Sequence, residues 1–254
     1  MQEEVVNVRM SLTAKLFMCF MFLVPACQNG CSKGVIVKVL NQDLLDPGVL
    51  LDYNVALVDE KQRPYCAGTL VEYDPVDHVV KVVTALHCVD DEKDDPKEYV
   101  FIKVAKHIYK AEVLKIQRES DLALLQTTDK VNGEIPVAQV GKFTPSPGHP
   151  IWIVGSGAGI EDILSHGTMS VPHAISRWSN VHVDIIDGSA FYGNSGGGVY
   201  NDKFELIGVL IEVGPQGPQG TGLWAHSVNL DEIIALLQID KVISINPYAF
   251  PRIR

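Results

Sequence analysis

The stretch VVTALHC, residues 82–88, runs a β-branched apolar segment straight into a histidine and a cysteine. Two heavy atoms on Cβ restrict χ1 and pack well on a pleated surface, so such a run reads as strand. Working outward, the same texture recurs at 35–40, 49–58, 68–73, 79–84, 99–104, 111–116, 122–127, 151–155, 181–186, 204–213 and 223–228. Each run is of strand length and is bounded by turn residues. Many short strands without helical periodicity between them mean a sandwich or a barrel. One helix is expected, NLDEIIALLQI at 229–239, with Asn229 as cap, acids in its first turn, and Ile233, Ile234 and Leu237 on its apolar side.

At 254 residues and 46% hydrophobic content the chain can bury a sizeable core. Its net charge of -10 comes without any long basic tract, which argues against nucleic acid or anionic lipid as a charge-held partner and favours a cationic one. Residues 1–34 read as a leader. Lys15 precedes the apolar run at 16–24, which is shorter than the roughly 20 residues a membrane-spanning helix needs. Met10 is a candidate start, because the acidic residues before it make a poor signal sequence. The ending Val24-Pro25-Ala26-Cys27 resembles a bacterial lipoprotein cleavage box and makes Cys27 a candidate lipidation site. A plain secretory signal and an uncleaved apolar anchor are the competing readings. Each implies an exported protein.

Cys66 and Cys88 stand alone in the body of the chain. In an exported protein they read as one disulfide, against the alternatives of two buried thiols or a zinc site, the last weakened by the lack of a C-x-x-C pair. Three other stretches read as connections or loops: the charged DDEKDDPKE at 90–98, GKFTPSPGHP at 141–150 as a linker between two halves, and the collagen-like triplets GPQGPQG at 214–220. The tail after the helix, ISINPYAFPRIR, carries two prolines.

Ser195 lies in GNSGG, residues 193–197, which is either a tight turn or a nucleophile's setting. A serine hydroxyl needs a base to become a nucleophile. Of the eight histidines, seven lack an evident partner and read as surface or core residues; His87 is set apart by the strand before it and the cysteine after it. Asp121 opens the apolar run DLALL and is the candidate acid, with a turn-capping role as its alternative. Together TALHC, DLALL and GNSGG, in the order His, Asp, Ser, resemble the trypsin/chymotrypsin family of serine proteases over roughly residues 35–240. An α/β-hydrolase would need its acid and then its histidine after the serine, and the only later histidine is His226. Intervals of 34 and 74 residues between the three motifs are similar to those of compact bacterial members.

The resemblance implies an all-β fold of two six-stranded antiparallel barrels, one over 35–140 and one over 141–228, with a C-terminal helix and tail over 229–254. It implies peptide or protein substrates and no metal or cofactor. His87 would be the base, Asp121 its orienting acid, Ser195 the nucleophile, and the N–H groups of Gly193 and Ser195 the oxyanion hole. Asn194 departs from the aspartate that digestive members pair with a new N-terminus, so activation by N-terminal insertion is not expected. Ser189, Glu212 and Gly222 would line the primary pocket; the neutral Ser189 at its base points to small or medium apolar residues rather than basic ones. A non-catalytic binding module on the same scaffold is the rival reading, and an esterase the third.

Overall fold

The computed structural model describes residues 46–91, 95–176, 179–214 and 224–237. The leader with Cys27, the run at 35–40, the triplets at 215–220, Gly222 and the tail lie outside the described residues. Fourteen strands are formed in this part of the chain: β1 (Asn54–Val58), β2 (Pro64–Asp74), β3 (Val79–Ala85), β4 (Asp90–Asp91), β5 (Asp95–Pro96), β6 (Tyr99–Val104), β7 (His107–Gln117), β8 (Leu122–Thr127), β9 (Pro150–Gly155), β10 (Ile163–Ile175), β11 (His182–Asp187), β12 (Gly198–Tyr200), β13 (Leu206–Val213) and β14 (Ala225–Val228). Two closed antiparallel barrels result, in the strand orders β1-β2-β3-β8-β7-β6 and β10-β11-β14-β13-β12-β9. Closure removes the unpaired edges that would otherwise template association. Among the described residues no helix is long and apolar enough to cross a membrane.

Hydrophobic content dictates which strands lie deepest. NVALV, the whole of β1, is buried, as is most of β3 and β8. One apolar cluster runs from the first barrel (Leu57, Val82, Leu122, Leu125) into the second (Val183, Val209, Ile211, Val228), while Ile151, Ile153, Met169, Ile186 and Val199 fill the second barrel separately. A shared cluster welds the two barrels along the faces that meet.

The structure departs from the sequence reading at several places, one being the charged stretch at 90–98 read as a loop, where β4 and β5 pair antiparallel. The expected strand at 49–58 is a 3-10 helix over Pro47–Tyr53 followed by β1, because Pro47 fixes φ at the first turn and Asp46 accepts a hydrogen bond from the Gly48 N–H at 2.9 Å. The long strand β10 was not anticipated: Gly167, Pro172 and two histidines break its apolar pattern, and bulges interrupt its pairing with β11. The short β12 was also missed, its three residues falling directly after the glycine run. Helix α1 spans Leu230–Leu237, and Asn229 accepts from the Glu232 N–H at 3.2 Å, as its capping role requires.

Candidate active site

Strand pairing alone brings His87 to Asp121. Ala85, the last residue of β3, is the register partner of Leu122, the first of β8. The chain therefore leaves β3 into a 3-10 turn over Leu86–Cys88 at the point where Asp121 enters β8. The Leu86 N–H donates to the Asp121 carbonyl at 2.8 Å. Asp121 itself adopts a left-handed conformation (φ 54°), which aspartate tolerates better than most residues, and this aims its carboxylate back at the turn. Asp121 Oδ1 accepts from the His87 backbone N–H at 3.0 Å, and Oδ2 accepts from His87 Nδ1 at 2.6 Å. Gripping both backbone and ring fixes the imidazole's orientation and puts its proton on Nδ1. The ring is half-exposed at 47%. Partial burial pulls the His87 pKa down, but the bond and charge of Asp121, with a smaller contribution from the Glu212 charge, outweigh it and hold the imidazole above its ordinary value.

Cys66 and Cys88 form a disulfide with Cα atoms 6.1 Å apart, linking β2 to the turn that carries His87. Their sulfurs and a His87 nitrogen lie within 4.8 Å of one another, but both sulfurs are spent on each other and neither is available as a thiolate ligand. The same frame holds Ser195. Its carbonyl accepts from the Ala67 N–H at 2.8 Å and lies 3.7 Å from Cys88 Sγ, a contact rather than a hydrogen bond because the sulfur carries no proton.

All three glycines in GNSGG are required by geometry: a Cβ on Gly197 would lie 2.2 Å from the Val154 carbonyl, and the other two combine such a clash with a left-handed backbone. Gly193 (φ 94°) would bring a Cβ within 2.7 Å of the Ser156 carbonyl, and Gly196 (φ 89°) would bring one within 2.0 Å of the Ala67 carbonyl. The Gly196 N–H donates to Leu210 on β13 at 2.7 Å, and the Leu210 N–H returns to Gly197 at 2.9 Å. Asn194 is buried at 1% exposure and packs against Gly155 and Gly157, and its Oδ1 has no hydrogen-bond partner among the described residues. Ser189 is exposed, and its carbonyl accepts from the Ser165 hydroxyl at 2.9 Å.

His226 corrects the expectation that it lacked a partner. It is buried on β14, and its Nδ1 lies 3.1 Å from Glu212 Oε2, which also accepts from the Ser176 hydroxyl at 2.8 Å. His78 likewise pairs, with the Tyr73 hydroxyl at 3.0 Å. Ser176 and His226 belong to strands or connections distant in sequence from Glu212, so no local motif marks the group.

Two closed six-stranded barrels and a C-terminal helix define the trypsin-like fold class. The chain belongs to the trypsin-like peptidase family, whose domain model matches residues 66–209, more than half of its length. Among solved structures it is similar to the HtrA-type protease AlgW with decapeptide (17% identity, TM-score 0.57, covering 69% of this chain and 51% of that one). It is also similar to the MamO protease domain from Magnetospirillum magneticum (20%, TM-score 0.58, 73% and 96%) and to the serine endoprotease from Yersinia pestis (22%, TM-score 0.55, 73% and 60%). The chain spans about half the length of the AlgW protein. No curated protein matches it by sequence.

Proposed function

We propose that the chain is a serine endopeptidase in which 35–140 supplies the base His87 and the acid Asp121, and 141–228 supplies the nucleophile Ser195. His87 Nε2 takes the hydroxyl proton as Ser195 Oγ bonds to the peptide carbonyl carbon, and the displaced electron pair moves onto the carbonyl oxygen. The backbone N–H groups of Gly193 and Ser195 receive that oxyanion. When the C–N bond breaks, the proton passes from His87 to the leaving amine and an ester remains on Ser195. Water then adds by the same route, releasing the carboxylic acid and restoring the hydroxyl. Asp121 keeps the Nδ1–H tautomer and stabilises the imidazolium.

The observation that carries this reading is the two-point grip of Asp121 on His87, 2.6 Å at the ring and 3.0 Å at the backbone, beside the disulfide frame that anchors Ser195. Peptide as substrate is supported by the similar AlgW protease, described with a decapeptide. The neutral Asn194 argues for a site that forms without N-terminal insertion. Ser189, Glu212 and Gly222 are assigned to the primary pocket. Export, and lipidation at Cys27, remain the reading of the leader; the Cys66–Cys88 disulfide supports an oxidising compartment.

The test is labelling by a small fluorophosphonate, with the adduct located by peptide mass mapping. Labelling is expected on Ser195 alone and lost by at least about a hundredfold in His87→Ala, since general-base assistance is worth roughly 10²–10⁴. Its rate should rise with pH as the imidazolium loses its proton, with a midpoint above the ordinary histidine value. Absence of an adduct in native protein would overturn the assignment.

A further inference from the structure

β13 runs past Ser195 and then changes face. Leu210 is clasped to Gly196 and Gly197, the two residues after Ser195, and its register partner on β14 is Ser227. The next pair in register is Glu212 with His226, so two steps on β13 match one on β14. That extra residue is a bulge, and bulges re-aim the side chains that follow them. Regular alternation would have kept Glu212 on the face of Leu210, inside the second barrel. The bulge turns it to the face of His226 and Val228, and Val228 belongs to the apolar cluster that continues into the first barrel. On this face the Glu212 charge reaches the His87 imidazole.

Glu212 is poised as a charge rather than as a neutral acid. Burial would raise its carboxyl, but bonds from the His226 ring and from the Ser179 and Ser176 hydroxyls outweigh it and bring the pKa to about 2. The His226 ring acts on the carboxylate by charge as well as by its bond, the serine hydroxyls orient it, and the side chain keeps 20% exposure. Two residues on, the Gly214 N–H donates to the Trp224 carbonyl at 2.7 Å, and the Trp224 ring lies 3.3 Å from where a Gly214 Cβ would stand. Trp224 is 43% exposed. An anion near the end of β13, with an open indole lying across from that end just before β14, suits a cationic side chain, which gains from the charge and from the ring face. This reverses the preference read from the neutral Ser189 alone, which pointed to apolar rather than basic residues.

We propose that Glu212 selects the substrate: it receives the lysine or arginine side chain of a peptide bound beside Ser195, with the Trp224 ring against that side chain. The inference rests on the peptidase reading for the identity of the ligand, but binding can be measured without cleavage. Four peptides of equal length, differing only in lysine, arginine, glutamine or norleucine at one position within an alanine-glycine sequence, are titrated calorimetrically into the full chain carrying Ser195→Ala. The lysine and arginine peptides should bind at least about tenfold more tightly than the other two, the scale of a close charge pair. Adding Glu212→Gln should erase that ratio. A purely structural tie between strands would lower thermal stability and weaken all four peptides alike.

Should Glu212→Gln fail to fold, raising salt from about 50 to about 500 mM must collapse the preference for lysine over norleucine, because the Debye length shrinks severalfold. No preference in the parent, or a preference that survives Glu212→Gln or high salt, overturns the inference. Failure of the nucleophile assignment is read separately, from the absence of a Ser195 adduct in the fluorophosphonate experiment.

Discussion

Asp184 carries an electrostatic cost that its neighbours do not cancel. It sits on β11 at 1% exposure, with Oδ1 accepting from the His173 N–H at 2.8 Å and Oδ2 without a hydrogen-bond partner among the described residues. Burial raises its pKa to about 6; the His173 N–H and ring charge pull the other way, and Asp231 at the start of α1 adds to the rise. A carboxyl with a raised folded pKa binds its proton more tightly in the folded state than in the unfolded one. Its contribution is therefore most favourable below about pH 4 and is lost as pH climbs to about 6, a cost on the order of 3 kcal/mol at neutral pH. Asp184→Asn keeps the acceptor for His173 and removes the charge. It should raise the urea midpoint clearly at pH 7.5 and hardly at about pH 3.5, below both the folded and unfolded values; an equal shift at both would refute the role assigned to ionisation.

At the scale of elements, the disulfide and the β3–β8 pairing share the task of holding His87. The 22-residue separation of Cys66 and Cys88 closes a loop that contains β3, and a cross-link of that span contributes about 3 kcal/mol in the chain-entropy account. Replacing both cysteines by alanine should lower unfolding free energy by about that amount. It should also slow fluorophosphonate labelling, because the turn after β3 loses one of its two anchors while keeping the other. Unchanged labelling would mean that the Asp121 grip positions His87 without help. β3 and β8 were legible in the sequence because short, mainly apolar runs, β-branched in β3 and leucine-rich in β8, declare buried strands. β10 was not, since a strand with one exposed face, Gly167, Pro172 and two bulges follows no simple period.

At the scale of the molecule, helix α1 reaches back to the first barrel beside the acid. Glu232 Oε2 accepts from the Ser120 hydroxyl at 2.6 Å and from the Gln117 amide, and Lys115 Nζ donates to the Leu236 carbonyl at 2.9 Å. Ser120 immediately precedes Asp121, so both ends of the helix brace the segment that aims the carboxylate. Glu232→Ala should cost about 1–3 kcal/mol, as for hydrogen bonds to a partly buried charge, and should slow Ser195 labelling. Thermal unfolding and labelling rates check the two effects separately, and a stability loss with full labelling would confine α1 to a structural role. The sequence by itself determined the all-β class, the capped helix, the pairing of two lone cysteines and the order of three motifs, because strand period, capping chemistry and motif context are local properties. Only the tertiary structure decided which face of β13 carries Glu212, that His226 and Ser176 converge on it, and that α1 braces Asp121. Those facts depend on register and on one bulge, and a shift of a single residue in strand pairing exchanges inside for outside without any change that a linear reading can detect.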